Sequence, residues 1–160
     1  MSIISARLDY RLLHGIVATQ WAPYYNPMRI MIVDTKTAND QLLKDSMRIG
    51  KPAGIACSII SEETALKNFK AHKYDGQSIF LVTESPSFIL ELLKAKETIG
   101  ELVLGISRST EVGRKISNRY AVLAEDEKIF SEILDRGVPI YAQYVPRDKK
   151  EVFISKKEEK

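Results

Sequence analysis

The feature that most constrains the fold of this chain is the alternation of short apolar runs with segments of helical character. Several runs are continuously apolar instead of alternating with polar residues, which is typical of strands covered on both faces. Turn residues such as Gly50, Pro52, Gly137 and Pro139 separate the segments. The predicted strands are Ile3–Leu8, Arg29–Asp34, Ile55–Ile60, Ser78–Thr83, Leu102–Ile106, Tyr120–Leu123 and Ile140–Val145.

The segments between the predicted strands carry helix signals. Thr37 and Asp40 resemble a capping box, and the helix that follows has an apolar stripe of Leu42, Leu43 and Met47. Further helices are predicted from Gly15 to about Trp21, after the N-cap residues Ser61 and Ser85, and from about Asp126 to Arg136.

This order of strands and helices predicts βαβ units with right-handed crossovers. The fold class is therefore α/β: a single-domain, open, mainly parallel twisted sheet of about six or seven strands with helices on both faces. At 160 residues the chain is long enough to bury one core. Residues 1–147 are expected to form this domain and residues 148–160 a charged, frayed C-terminal extension. The polar stretch from Ser107 to Arg119 is expected to be a functional loop with a short helix.

Composition and charge exclude several classes of function. The net charge of +3 is small and no basic stripe with interleaved aromatic residues is present, so no nucleic-acid partner is predicted. Cys57, the single cysteine, lies in an apolar run and is predicted to be a buried structural thiol. Neither metal-ligand spacing nor a phosphate-binding glycine motif occurs, so neither metal nor cofactor is predicted. No apolar run approaches the ~18 residues of a membrane span, and no signal segment begins the chain, which favours the cytoplasm.

His14 lies where the first predicted strand gives way to the helix that begins at Gly15. The free backbone N–H groups and the positive dipole at a helix start form a site for an anion, most often phosphate. Arg7 and Arg11 precede His14, and arginine binds phosphate oxygens with a fork of donors that keeps its charge. Neutral imidazole, with an unperturbed pKa of about 6.5, has a bare nitrogen that can accept a phosphoryl group.

The stretch from Arg7 to Trp21 reads R-L-D-x-R-L-x-H-G-x-V-x-x-x-W. It closely resembles the phosphorylation motif of IIB components of the mannose/fructose/sorbose family of bacterial phosphoenolpyruvate-dependent sugar phosphotransferase systems. Weaker similarity continues in IVDTKTAND (32–40), LVTESP (81–86), LGIS (104–107) and DRGVPIYAQYVP (135–146). The resemblance implies a cytoplasmic phosphocarrier that is peripherally associated with a membrane permease. It would accept a phosphoryl group on Nδ1 of His14 from a IIA partner and pass it to a sugar during uptake through the IIC and IID permease subunits.

The resemblance also assigns roles to residues of the motif. Arg11 would stabilise the phosphoryl group on His14, and these two are the candidate catalytic residues. Arg7 and Asp9 are candidates for binding the phosphate, but they could instead pair with each other. Because a relay histidine must meet two partners in turn, we expect His14 to lie on an exposed, shallow rim. The candidate phosphate-binding residues are Arg7, Asp9, Gly15, Ile16, Val17 and Ser107.

Three positions depart from the family pattern and leave other functions open. Ile16 replaces the usual glutamine, Tyr10 replaces a frequent second acid, and Gly105–Ile106 replaces a frequent glycine pair. The alternatives are a histidine-dependent phosphatase, which needs a second essential histidine, and a non-catalytic α/β regulatory module. Mannose, fructose, sorbose and N-acetylgalactosamine are all compatible with the resemblance, and the oligomeric state stays open.

Overall fold

A twisted sheet of seven strands forms the centre of the molecule, and the computed structural model describes residues 2–156. The order across the sheet is β3-β2-β4-β1-β5-β8-β9, and each neighbouring pair is parallel except β8 with β9. The strands β6 and β7 form a separate antiparallel hairpin. The strands are β1 (Ile3–Asp9), β2 (Arg29–Val33), β3 (Ala56–Ile60), β4 (Ile79–Thr83), β5 (Leu102–Ile106), β6 (Arg114–Lys115), β7 (Ala121–Val122), β8 (Ile140–Ala142) and β9 (Glu151–Val152).

Helices cover both faces of this sheet. The first helical stretch begins at Gly15 and contains a π-helical segment, Val17–Trp21, which leads directly into α1. A short 3₁₀ turn, Ala124–Asp126, precedes the last helix. The α-helices are α1 (Ala22–Tyr25), α2 (Thr35–Ala38), α3 (Gln41–Ile49), α4 (Glu62–Lys70), α5 (Pro86–Lys94) and α6 (Glu127–Asp135). The predicted α/β architecture is confirmed.

The continuously apolar strands bury alternate side chains in two separate cores. In β4, Ile79 and Leu81 point into the core under α5 and α6, whereas Phe80 and Val82 point into the core under the first helical stretch. All five residues of β4 are buried. Because neither face of the strand meets water, no polar residue interrupts the run, which explains the pattern in the sequence.

The predicted N-caps are confirmed at two helices and wrong at a third. Ser61 and Ser85 accept hydrogen bonds from the backbone N–H groups three residues later. The capping box of Thr37 and Asp40 does not form, because a turn divides this segment into α2 and α3. Asp34 caps α2, accepting from the Thr37 N–H at 3.0 Å, and Asp40 caps α3.

The apolar stripe predicted for α3 is only partly buried. Met47 packs against the core, but Leu42 is 76% exposed and Leu43 is 41% exposed. Of this stripe only Met47 packs against a core, so the apolar periodicity of α3 overstates its burial.

The segment after β5 differs from its prediction. No helix forms between Ser107 and Arg119; instead Arg114–Lys115 pairs with Ala121–Val122 in the β6–β7 hairpin. The predicted strand Tyr120–Leu123 is thus shorter and lies outside the main sheet. Gly113, with φ of +90°, permits the close approach of the two arms, because a Cβ there would lie 2.3 Å from the carbonyl oxygen of Val122.

The chain after Arg147 is not frayed as predicted. Glu151–Val152 adds the antiparallel edge strand β9 to the sheet, beside β8. Phe153 is only 3% exposed and its ring lies 5.3 Å from that of Phe130 in α6. The charged residues around it concealed this burial in the sequence, and residues 157–160 lie outside the described residues.

The sheet order brings three chain segments together at one edge. β1 lies between β4 and β5, so the loops that follow Asp9, Thr83 and Ile106 are neighbours at the carboxyl ends of the strands. Ligands of open parallel sheets bind at such a position. In the part of the chain that the structure describes, no helix has the length and apolar character needed to cross a membrane.

Candidate active site

A tight turn after β1 directs His14 back toward the sheet. The Leu12 N–H donates to the carbonyl oxygen of Asp9 at 3.1 Å, and Leu12 adopts a left-handed conformation with φ of 60°. That conformation costs a branched residue roughly 1–2 kcal/mol. Leu12 and Leu13 are only 5% and 6% exposed, so their burial offsets the strain. The turn therefore holds His14 at the start of the helical stretch.

The carboxylate of Asp9 lies at the centre of the site. Its Oδ2 accepts a hydrogen bond from Nε of Arg7 at 3.1 Å and lies within hydrogen-bonding distance, 2.9 Å, of Nε2 of His14. Its Oδ1 accepts from the backbone N–H of Arg11 at 3.0 Å. The Asp9 side chain is fully buried, and these donors replace the water it has lost. The predicted pairing of Arg7 with Asp9 is confirmed.

Arg7 supports Asp9 from beneath. Its Nη1 and Nη2 donate to the carbonyl oxygens of Gln143 and Tyr144 at 2.9 and 3.1 Å, and its guanidinium lies 4.9 Å from the ring centroid of Trp21. Burial lowers the pKa of Arg7 from its usual value, while the Asp9 carboxylate opposes that shift. Arg7 was a candidate phosphate-binding residue, but it is completely buried and its guanidinium contacts protein groups instead.

Gly105 makes the position of Arg7 possible, and sequence reasoning missed this role. Leu8 pairs with Leu104 and Asp9 with Ile106, so Gly105 is an extra residue in β5 and forms a bulge. A Cβ on Gly105 would lie 2.4 Å from Cζ and Nη2 of Arg7. A glycine inside an apolar strand is a signal of close approach, and that signal is present in the sequence.

The contact with Asp9 determines which nitrogen of His14 carries the hydrogen. An ionised carboxylate can only accept, so in a neutral His14 ring this contact places the hydrogen on Nε2 and leaves the lone pair on Nδ1. The side chain of His14 is 17% exposed. The ring is therefore less exposed than the predicted shallow rim requires, although it is not sealed in the core.

The start of the helical stretch presents free donors next to His14. The Ala18 N–H donates to the carbonyl oxygen of His14 at 3.0 Å, so the N–H groups of Gly15, Ile16 and Val17 precede the first helical hydrogen bond. Gly15 is exposed, and no atom lies within 4 Å of a Cβ built on it. Ile16 is half-buried, whereas the side chain of Val17 is buried.

Ser107 lies in the loop after β5, where its hydroxyl forms hydrogen bonds with nearby backbone groups. Oγ donates to the carbonyl oxygen of Ser109 at 2.8 Å and accepts from the Ala121 N–H at 3.0 Å. The structure therefore gives Ser107 a part in joining its loop to the hairpin, and it shows no contact between this hydroxyl and His14. Within residues 2–156, no group of three or more His, Cys, Asp or Glu side chains is placed to hold a metal ion.

Comparison with known proteins identifies the family. A family model described as "PTS system sorbose subfamily IIB component" matches residues 3–159, nearly the whole chain. The chain belongs to this IIB family. The resemblance seen in the sequence motifs is confirmed, and the protein is a component of a sugar phosphotransferase system.

Individual relatives agree with this assignment along the whole IIB chain. The fructose-specific EIIB component of Bacillus subtilis is 30% identical over 154 residues, which cover 96% of this chain and 94% of the relative. The mannose-specific EIIAB component of Escherichia coli is 26% identical over 150 residues, which cover 94% of this chain and 46% of the relative. The crystal structure of the IIBSor domain of the sorbose permease from Klebsiella pneumoniae is 25% identical, with a TM-score of 0.85 and coverage of 94% and 92%.

Proposed function

We propose that this IIB protein is a phosphocarrier that accepts a phosphoryl group on Nδ1 of His14 and transfers it to a sugar. The observation that carries the proposal is the 2.9 Å contact between Nε2 of His14 and Oδ2 of Asp9. This contact keeps the hydrogen on Nε2 and the lone pair on Nδ1, the atom that the family resemblance implies.

The contact between Asp9 and His14 favours both transfer steps, from the donor to His14 and from His14 to the sugar. The lone pair of Nδ1 attacks phosphorus, the bond from phosphorus to the donor breaks, and Nε2 keeps its hydrogen throughout. The ring gains positive charge as the new N–P bond forms, and the adjacent carboxylate stabilises that charge. When a sugar hydroxyl oxygen attacks phosphorus, the N–P bond breaks and its electron pair returns to Nδ1, while the hydroxyl proton passes to solvent or to a base at the permease site. The contact with Asp9 then holds the ring in the neutral tautomer with hydrogen on Nε2.

The charge of the phosphoryl group requires donors on the solvent side of the ring. Arg11 is exposed in the turn before His14, and the free N–H groups of Gly15 and Ile16 lie just after it. Phosphoryl transfer depends on positioning and on stabilisation of negative charge, which an arginine and a helix start supply. In this proposal Arg7 acts through Asp9 and does not touch the phosphoryl group.

The partners follow from the family. We propose that a IIA protein donates the phosphoryl group and that the sugar is held by IIC and IID permease subunits at the membrane, with this chain on the cytoplasmic side. The name of the Escherichia coli relative, EIIAB, joins an A and a B component in one chain, which supports a IIA donor. The relatives are named for fructose, mannose and sorbose, so we assign no single sugar.

A histidine-dependent phosphatase fits the structure less well. His72 is the other histidine; its side chain is 75% exposed and its Nδ1 lies 3.5 Å from Oδ2 of Asp75. It follows α4 and precedes β4, which places it at the amino ends of the strands. His14 follows the carboxyl end of β1, so the two histidines lie at opposite ends of the sheet and do not form one site.

Phosphorylation by a phosphoenolpyruvate-fed relay that includes a IIA protein tests the proposal. The wild-type protein should acquire a label that is lost in acid and kept in alkali, as expected for a phosphoramidate. His14→Ala should abolish the label, whereas the control His72→Ala should keep it. Labelling of His14→Ala at another residue, or rapid release of inorganic phosphate by the wild type, would contradict the proposal.

Nitrogen-15 NMR of the histidine side chains tests the geometry separately. Near neutral pH the spectrum should show His14 as the tautomer with hydrogen on Nε2. Asp9→Asn should relax this preference and slow phosphorylation by about 10²-fold or more, because charge stabilisation is lost. A wild-type His14 with its hydrogen on Nδ1 would rule out the proposed role of Asp9.

A further inference from the structure

The Arg11 side chain has one hydrogen-bonding partner among the described residues. Its Nε lies 3.4 Å from the hydroxyl oxygen of Tyr10, and its Cζ lies 5.9 Å from the centroid of the Tyr10 ring. The long arginine side chain has many rotamers, so a freely moving Arg11 would have to be ordered in every transfer. A neighbour that orders it beforehand lowers that cost.

Tyr10 is itself held by the neighbouring strands. Its backbone N–H donates to the carbonyl oxygen of Ile106 at 3.1 Å, and its ring is half-buried with its centroid 5.4 Å from Cζ of Arg108. Arg108 makes a two-pronged pair with Glu84 through Nε and Nη2, the second contact being 3.0 Å. The loops after β4 and β5 thus fix the ring that Arg11 contacts.

The contact of Tyr10 with Nε leaves Nη1 and Nη2 of Arg11 available for the phosphoryl group. Nη1 and Nη2 make no hydrogen bond in the described part of the chain, so their donors can meet two phosphoryl oxygens. Tyr10 offers the guanidinium a hydroxyl oxygen and a ring face. A carboxylate in its place would form an ion pair with Arg11 and oppose the approach of the phosphoryl group.

We propose that Tyr10 is a positioning residue that holds the Arg11 guanidinium in place for the phosphoryl group on His14. The inference rests on the proposed function, since it concerns how Arg11 serves that transfer. Tyr10 does not touch the reacting atoms; it acts through Arg11, and Arg108 with Glu84 keeps Tyr10 in position.

Single-turnover transfer from phosphorylated IIA, at saturating IIA, measures this role. Tyr10→Leu removes both ring and hydroxyl and should slow transfer about five- to tenfold, the combined size of a hydrogen bond and a cation–π contact. Tyr10→Phe keeps the ring and should recover part of that loss. Tyr10→Asp should be slower than Tyr10→Leu because of the competing ion pair. The exposed tyrosine variant Tyr24→Leu is the matched control and should transfer at the wild-type rate.

A double-mutant cycle separates positioning from a general structural effect. In the Arg11→Ala background, Tyr10→Leu should slow transfer no further, because the guanidinium that Tyr10 positions is already absent. The His14 tautomer and the thermal unfolding midpoint of Tyr10→Phe should match those of the wild type. A wild-type rate in Tyr10→Leu, or an equal slowing with and without Arg11, would overturn the inference. Absence of label on wild-type His14 would instead overturn the proposed function.

Discussion

At the scale of single residues, the site depends on how Asp9 is buried. A histidine on a surface loop exists as two neutral tautomers, and a carboxylate on one nitrogen selects one of them. A buried carboxylate is stable only when charged and polar partners replace its water. Arg7 provides that partner, which explains why an arginine with no exposed surface belongs to the motif. In the proposed function Arg7, which was predicted to bind phosphate, therefore acts through Asp9.

Gly105→Ala should disturb this arrangement. The added Cβ would lie 2.4 Å from Cζ of Arg7, and moving this guanidinium away would break its contacts with Trp21 and two backbone carbonyls. We expect a loss of about 1–3 kcal/mol in the free energy of unfolding, measured in urea, and slower phosphorylation of His14.

Gly50→Ala is the control for the effect of adding a methyl group. Its nearest neighbour would be a carbonyl oxygen at an ordinary 3.7 Å, so its stability should change little. Replacing glycine by alanine in a strand usually increases the free energy of unfolding. At Gly105 we expect a decrease instead, because the added methyl group overpacks the site. Equal or higher stability of Gly105→Ala with unchanged phosphorylation would contradict the proposed packing.

At the scale of elements, the sequence predicted helix caps correctly where the capping side chain and its hydrogen-bonding partner lie within a few residues of each other. A serine N-cap bonds to an N–H three residues later, so Ser61 and Ser85 were recognisable without knowing the fold. The predicted capping box of Thr37 and Asp40 was wrong, because a turn before Asp40 ends α2 and lets Asp40 cap α3. Apolar periodicity predicted that α3 is helical, but not how much of it would be covered.

Ser85→Ala should remove the cap of α5. The lost hydrogen bond to the Phe88 N–H, 3.1 Å in the structure, should lower the free energy of unfolding by about 1 kcal/mol. Ser87→Ala is the matched control, because Ser87 is exposed in the same first turn and alanine favours helix. Urea unfolding of both variants measures the difference, and equal stabilities would exclude a capping role for Ser85.

At the scale of the whole molecule, the C-terminal segment completes the sheet. β9 pairs with β8 and forms the edge of the sheet, and the following residue, Phe153, packs on α6. The Arg114 Nη2 of the hairpin donates to the carbonyl oxygen of Ile154 at 3.0 Å, which joins the hairpin to this segment. Residues far apart in the chain therefore stabilise the edge of the sheet beside Gln143 and Tyr144, whose carbonyls hold Arg7.

Phe153→Ala should destabilise the whole domain. Removing a buried phenylalanine side chain typically costs about 3–5 kcal/mol, and Phe153 is only 3% exposed. Val152→Ala, at a position 68% exposed in β9, should change stability by less than about 0.5 kcal/mol. Chemical denaturation compares the two. A Phe153→Ala variant as stable as Val152→Ala would mean that the segment contributes little.

The α/β class, the parallel sheet and the place of His14 between a strand and a helix could be predicted from the order of residues alone. These features follow from periodicity and caps, which involve residues close together in the chain. The support of Asp9 by Arg7, the room that Gly105 leaves for Arg7, and the addition of β9 to the edge of the sheet depend on the three-dimensional fold. Arg7 lies 136 residues from the Gln143 carbonyl that it binds. No local pattern encodes such a contact, because the sheet order and the packing of its edges bring the two residues together.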